Sequence, residues 1–422
     1  MADMSDVNHP ITQPSAPSGA QSTTPPTALV PRVPGQARDK GRTLPVRPVR
    51  PLVAVATALG LFAAARISGG IVLAVVAAAV GKHPFPLLGR SWDSQWYVRI
   101  AEHGYGRTVH QPSGLVFNDL AFFPVYPLLV RAVRTVTGLT GGGAGLLISW
   151  TAAAVAACGI YLIGARLHGR AAGTVLVLVW GLLPHSIVLS LAYTEPLLTA
   201  FAAWSLYAVL SGHWAWAGTL AALAGLSRPN GLAVAVAVLV AAAHELWRRR
   251  LRGIPPGLWA GAVLAPLGWG GYVLWVGVRT GDPFGGYFGV QHGWGSAFDL
   301  GRGSLHTLRV MVTHSSPLVY PMTIVIVAAY VLLFALLLVE RVPLPLVVYS
   351  GVLLVVALGG SGYFCSKPRF LLPAFPLLLP VACALARTAR ARPWHATLVV
   401  AALAGLSFSY GAHLVVLSRT AL

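Results

Sequence analysis

From residue 52 almost to the C-terminus, the chain is a series of apolar runs separated by corners rich in Pro, Gly and Arg. Runs approaching 20 residues have one stable form in a bilayer, because every backbone N–H and C=O must find its partner inside the segment. That form is the α-helix. Hydrophobic residues make up 56% of the chain and charged residues 10%, whereas a soluble domain carries roughly a quarter charged residues. The expected fold is therefore an all-α polytopic membrane protein. Apolar runs at 52–80, 144–165, 171–191, 196–211, 214–227, 230–247, 258–278, 317–339, 343–361, 369–386 and 395–416 predict about eleven transmembrane helices.

Residues 1–50 are a different material, rich in Pro, Ser, Thr and Gln and without an aromatic residue. They close in a basic run through Arg38, Lys40, Arg42, Arg47 and Arg50. This reads as a disordered cytoplasmic tail, too long to be the n-region of a signal peptide, ahead of a transmembrane domain over 51–422. The net charge of +19 is spread over loops, which speaks for membrane lipids and phosphate ligands and against a nucleic-acid partner.

Threading the runs from a cytoplasmic tail puts Arg166 and Arg170, the Arg248–Arg252 loop, Arg341, and Arg387, Arg390 and Arg392 inside, as the positive-inside rule asks. Long loops at about 82–143 and 279–316 then lie outside. Nearly every polar cluster falls on that outer face: Trp92–Tyr105, Asn118-Asp119, Tyr193-Thr194-Glu195, Ser227-Arg228-Pro229-Asn230, Gln291-His292-Gly293-Trp294 and Ser366-Lys367-Pro368-Arg369. After Asp119, Phe122-Phe123-Pro124 leads an amphipathic stretch with Arg131 and Arg134, read as a helix lying in the interface.

With only 11 acidic residues in 422, each carboxylate outside the tail is informative. Asp93 stands between Trp92 and Ser94 at a helix start, where it serves either as an N-cap or as a general base for an acceptor hydroxyl. Asp119 is the rival base, or a turn residue before the interfacial helix. Glu195, close to hydrocarbon, is either paired with an arginine or in contact with substrate. Arg228 and Arg369 offer planar forks for phosphate oxygens, or snorkel to headgroups. Arg99 and His103, four residues apart on one face of the same helix as Asp93, either reach a phosphate or are solvated. Trp92, Trp96 and Ile100 share another face, as headgroup anchors or as a platform for a sugar. Asn230, Gln291, His292 and Lys367 complete the candidate substrate contacts. Arg66, inside the first run, is expected to snorkel. No His pair at ligand spacing, Asp-x-Asp, P-loop or Rossmann glycine pattern occurs, so neither a metal nor another cofactor is expected. The three cysteines form no disulfide framework.

Trp92-Asp93, then Ile100-Ala101-Glu102-His103-Gly104-Tyr105, then Ala121-Phe122-Phe123-Pro124-x-x-Pro127 resemble the second mannosyltransferase family of glycosylphosphatidylinositol assembly. Tyr193-Thr194-Glu195, Arg228-x-Asn230-Gly231 and Arg369-Phe370 follow in that family's order. The resemblance spans about residues 50–416 and is most specific in the first outer loop. It implies a GT-C glycosyltransferase that takes a sugar, typically mannose, from polyprenyl phosphate on the non-cytosolic side without a metal. It also implies a first-loop carboxylate near the reaction centre, which favours Asp93. The family often has His before its Asn in the segment leading to Ala-Phe-Phe-Pro. Here Asn118-Asp119-Leu120 occupies that place, so substrate contacts there differ. High Ala, Gly, Arg and Val suggest a bacterial source, where the acceptor is an envelope glycolipid, a polysaccharide or a secreted protein.

Two other classes fit the same composition. A lipid or sugar transporter would carry a polar path to the inner face, and a non-catalytic scaffold of envelope synthesis would leave Asp93, Arg228 and Arg369 scattered. An enzyme requires them to converge.

Overall fold

A computed structural model describes residues 51–418 apart from 251 and 315; the tail over 1–50 lies outside the described residues. Helix α1 (Pro51–Ala79) is followed by α2 (Pro84–Gly89), α3 (Asp93–His103), strands β1 (Thr108–His110) and β2 (Val116–Asn118), and α4 (Val125–Thr137). Next come α5 (Gly141–His168), α6 (Arg170–Gly181), α7 (Glu195–Leu210), α8 (Trp214–Gly225), α9 (Leu232–Arg248) and α10 (Leu258–Thr280). Short helices α11 (Gly286–Gly293) and α12 (Arg302–Thr313) lead to α13 (Val319–Val339) and α14 (Leu344–Gly359). The chain closes with α15 (Lys367–Leu371), α16 (Leu379–Ala391) and α17 (Pro393–Ala412). The fold is nearly all-α. The antiparallel β1–β2 hairpin, with Val109 opposite Phe117, was not expected from the sequence.

Among the described residues, six helices are long and apolar enough to cross a membrane: Leu52–Ala79, Gly141–His168, Pro229–Arg248, Leu258–Thr280, Val319–Val339 and Pro393–Leu417. Phe364–Leu371 with Phe375–Ala391, bent by 77°, makes a seventh if the pair is one span. This is the architecture of a multi-pass membrane protein, and length alone supports fewer spans than the expected eleven. The runs at 171–191, 196–211, 214–227 and 343–361 form helices of 12, 16, 12 and 16 residues. At 1.5 Å per residue these are about 18–24 Å long, short of the ~30 Å hydrocarbon core.

Proline explains the two interrupted runs. Helix α6 stops at Gly181, and Pro184 follows, which can neither donate an N–H nor let the residue before it stay helical. The chain continues through a 3₁₀ turn at Ser186–Ser190, inside the protein. The second run breaks between α15 and α16, around Pro373 and Pro376. Non-helical backbone at such depth is tolerated only where protein satisfies it, and here it does. The Trp180 indole N–H donates to the Leu372 carbonyl at 3.1 Å and the Tyr349 hydroxyl to that of Pro373 at 3.0 Å. The two breaks thus meet in the core.

Helices α8 and α10 approach until only glycine fits between them. A Cβ on Gly218 would overlap the Gly261 carbonyl, and one on Gly268 the Ala222 carbonyl. Small residues at such contacts let helix backbones pack where no hydrophobic drive acts between them. The contact aims the end of α8, and hence Arg228 just beyond it. Helix α4 is amphipathic as expected. It buries Tyr126, Pro127 and Val130 and leaves Leu128, Arg131, Arg134 and Val136 exposed. Arg66 does not snorkel: its guanidinium donates to the Gly181 carbonyl at 3.1 Å and to the Ser186 hydroxyl. It caps the truncated end of α6.

Candidate functional site

Corners at one end of the bundle bring together side chains that are remote in sequence. Asp93 opens α3, directly after Trp92, whose φ of 47° is unusual for a bulky residue. Glu195 opens α7, and Pro196 suits the helical position that follows it because its missing N–H would be unpaired there. Arg228 sits in the extended corner after α8. Arg369 is in α15, the one-and-a-half-turn helix set off by the proline break.

Arg369 links the two carboxylates: its Nη2 pairs with Asp93 and its Nε with Glu195. Arg228 pairs with the same Glu195 oxygen at 2.7 Å and donates to the Thr194 hydroxyl at 2.9 Å. Thr194 shares a 3.2 Å hydrogen bond with Tyr97, which lies one helical turn from Asp93 on the same face. Burial pushes the Tyr97 phenol up to about 12, so its O–H stays protonated at neutral pH. The Arg369 guanidinium also lies over the Tyr193 and Phe370 rings, at 4.6 and 5.6 Å from their centroids. These cation–π contacts hold it in plane.

Two arginines and two carboxylates balance in charge, but they are not equally accessible. The side chains of Glu195, Arg369 and Arg228 are 1%, 4% and 8% exposed, and that of Asp93 is 25% exposed. Asp93 is the carboxylate of this group that opens onto space.

That space is a cavity of about 580 Å³. Asp93, Arg228, Asn230, Gln291, His292, Lys367 and Arg369 all line it, with Phe122, Phe288, Phe298, Tyr363 and Phe370 among its apolar walls. With Glu195 counted behind the wall, Arg228, Lys367 and Arg369 outnumber Asp93 and Glu195 by one positive charge, which suits an anionic ligand. Lys367 donates to the carbonyls of Ala357 and Gly360, capping the end of α14 while its charge faces the cavity. Asn230 donates to the Phe370 carbonyl at 3.4 Å, and Gln291 to the Tyr287 hydroxyl at 2.9 Å. Tyr363, like Trp92, has a positive φ, 37°. Such backbone costs about 1–3 kcal/mol and persists where surrounding structure holds it.

Other expected site residues lie elsewhere. Asp119 is buried and does not line the cavity. Its Oδ2 accepts the backbone N–H groups of Gly106 at 2.9 Å and Arg107 at 2.7 Å, fastening the base of the hairpin. Arg99 and His103 are exposed on α3 and are also absent from the cavity wall, because residues six and ten positions beyond Asp93 turn away from its face. Glu195 lies behind the wall, as the counter-charge of both arginines. Trp96 is not part of the cavity lining. It stacks on Phe122 with centroids 5.6 Å apart and meets the edge of Trp294 at 5.1 Å, joining the first loop to α11. Tyr97, Thr194, Tyr193 and Phe370 complete the network, and none was singled out from sequence as a site residue. Their signal was adjacency alone, since Thr194 and Phe370 each adjoin a charged candidate, Tyr193 lies two residues before Glu195, and Tyr97 lies one turn after Asp93.

Among the described residues no group of His, Cys, Asp and Glu at metal-ligand distance lies at this cavity; His168, Glu340 and Cys383 form one elsewhere. No known family model matches the chain, and no curated protein is significantly similar to it in sequence.

Proposed function

We propose that the chain is a GT-C-type membrane glycosyltransferase that moves a sugar, mannose being favoured, from polyprenyl phosphate to a hydroxyl acceptor with inversion. The observation that carries this reading is the convergence of Asp93, Arg228, Lys367 and Arg369 on one cavity. A partly exposed carboxylate faces fixed cations across a space bounded by aromatic walls. Cavities of this size hold small ligands. Aromatic faces suit a sugar ring and an isoprenoid chain, and the guanidinium forks suit a phosphate.

In the proposed reaction the donor phosphate takes up donors of Arg228 and Arg369, drawing Arg369 partly away from Asp93. Asp93 then accepts the proton of the acceptor hydroxyl as its oxygen attacks the anomeric carbon. The bond from that carbon to the phosphate oxygen breaks, and polyprenyl phosphate leaves with the electron pair. The cations stabilise charge where it develops. Glu195 keeps both arginines oriented and neutralised between turnovers. The cavity faces the extracytoplasmic side in this reading, about eleven segments enter the bilayer if the shorter helices count, and α4 lies in its interface.

A second reading, transport of a lipid or sugar, draws on one separate observation. The Arg66, Ser186 and Ser407 side chains form a buried polar chain between α1 and α17. Sugar transfer in detergent separates the two, because transport has no readout without a sealed membrane. Solubilised protein given polyprenyl-phosphate-mannose and an envelope-lipid extract should form a labelled product. Failure there, with donor crossing reconstituted vesicles, would favour the transporter.

A further inference from the structure

His168, Glu340 and Cys383 come from three different helices and take no part in the network around Asp93. His168 is the last residue of α5, Glu340 caps the end of α13, and Cys383 lies in the second turn of α16. Their ligand atoms all lie within 4.8 Å of one another. We propose that they form a binding site for a borderline-soft divalent cation, zinc being the best fit, that clasps these three helices.

Three features of the cluster point to a cation. Its side chains are an imidazole, a carboxylate and a thiol, a donor set that suits zinc and not the hard cations magnesium or calcium. Among the described residues, none of the three makes a side-chain hydrogen bond or ion pair, although Glu340 is next to Arg341 in sequence. They converge without bonding to each other. Zinc bonds of about 2.0–2.3 Å set tetrahedral ligand atoms about 3.5 Å apart, so the cluster needs to close by only about an ångström to hold the ion. Finally, α5 and α13 both end here, and the partial negative charge of two helix C-termini favours a cation. Three protein ligands leave a fourth position for water.

The site is distinct from the cavity. Helix α5 contributes Gly145 to the neighbourhood of Tyr126 and Ala192 near its start, and His168 at its far end. Helix α16 continues from the broken segment that carries Lys367 and Arg369, so the cation would tether that segment beyond its proline break.

Full-length protein in detergent, stripped by a chelator, should be titrated with Co²⁺ and followed by absorption. The expected result is one equivalent bound with tetrahedral d–d bands and a thiolate-to-cobalt charge-transfer band, both erased by Zn²⁺. Cys383→Ser should remove the charge-transfer band, while Cys158→Ser and Cys365→Ser keep it. His168→Ala and Glu340→Gln should each weaken binding by at least the ~10–100-fold that losing even a ligand's supporting partner costs. Wild-type protein without a charge-transfer band, or a band that survives in Cys383→Ser, would overturn the site. Neither outcome depends on sugar transfer.

Discussion

Asp93 and Glu195 share one guanidinium, and their different exposure gives them different work. The Glu195 side chain is 1% exposed and holds two arginines, so Glu195→Gln leaves buried cations short of counter-charge. Breaking a buried pair in this way costs about 3–5 kcal/mol, and the variant should melt well below wild type in detergent. Asp93, at 25% exposure, is affected less in stability and more in chemistry. Asp93→Asn leaves Arg369 paired with Glu195, so it should melt between Glu195→Gln and wild type yet lose the ~10²–10⁴-fold that a general base contributes. Asp119→Ala should do the reverse. It frees the N–H groups of Gly106 and Arg107, a loss of about 1–3 kcal/mol, seen as faster hydrogen exchange over 106–110 with transfer largely kept. At this scale the charged candidates were legible, because a carboxylate or guanidinium beside hydrocarbon is costly and therefore conspicuous. Tyr97 and Thr194 were not, because nothing in sequence separates a tyrosine that hydrogen-bonds a site threonine from one that fills a core. The grouping of His168, Glu340 and Cys383 was equally hidden, since it exists only once three helices have packed.

Helices translate those residues into a site through where they stop. The apolar run at 171–191 reads as one span, yet α6 ends at Gly181. Hydropathy measures greasiness and says nothing of direction, so a proline-broken segment folded back inside the protein looks the same as a straight span. Pro184, Pro373 and Pro376 were visible; that the freed carbonyls find Trp180 and Tyr349 was not. The α8–α10 contact gives the sharpest test at this level. Gly218→Leu forces a side chain into the Gly261 backbone, and overpacking of this kind costs about 1–3 kcal/mol. It should also lower transfer, because α8 aims Arg228. Gly60→Leu on α1, where a Cβ meets nothing within 4 Å, should do neither.

At the scale of the whole molecule, the cavity residues gather at one end of the bundle, while the arginine-rich corners lie at the opposite ends of α5, α9 and α13. If the first end is extracytoplasmic, single cysteines in a background without native ones should label asymmetrically. Ser113→Cys, in the hairpin turn, should react with an impermeant maleimide in intact cells, and Arg250→Cys only after permeabilisation. The opposite pattern would invert the orientation. The membrane class was plain from the sequence, as was the crowding of polar motifs into a few corners; the span count was not, because helices of 12–16 residues are too short to declare themselves. The most direct test is transfer of radiolabelled mannose from polyprenyl phosphate by membranes carrying wild type, Asp93→Asn or Asp119→Asn at matched levels. Product from wild type and Asp119→Asn but not from Asp93→Asn is the expected result. Undiminished product from Asp93→Asn, or none from wild type across envelope lipids, glycans and proteins, would contradict it.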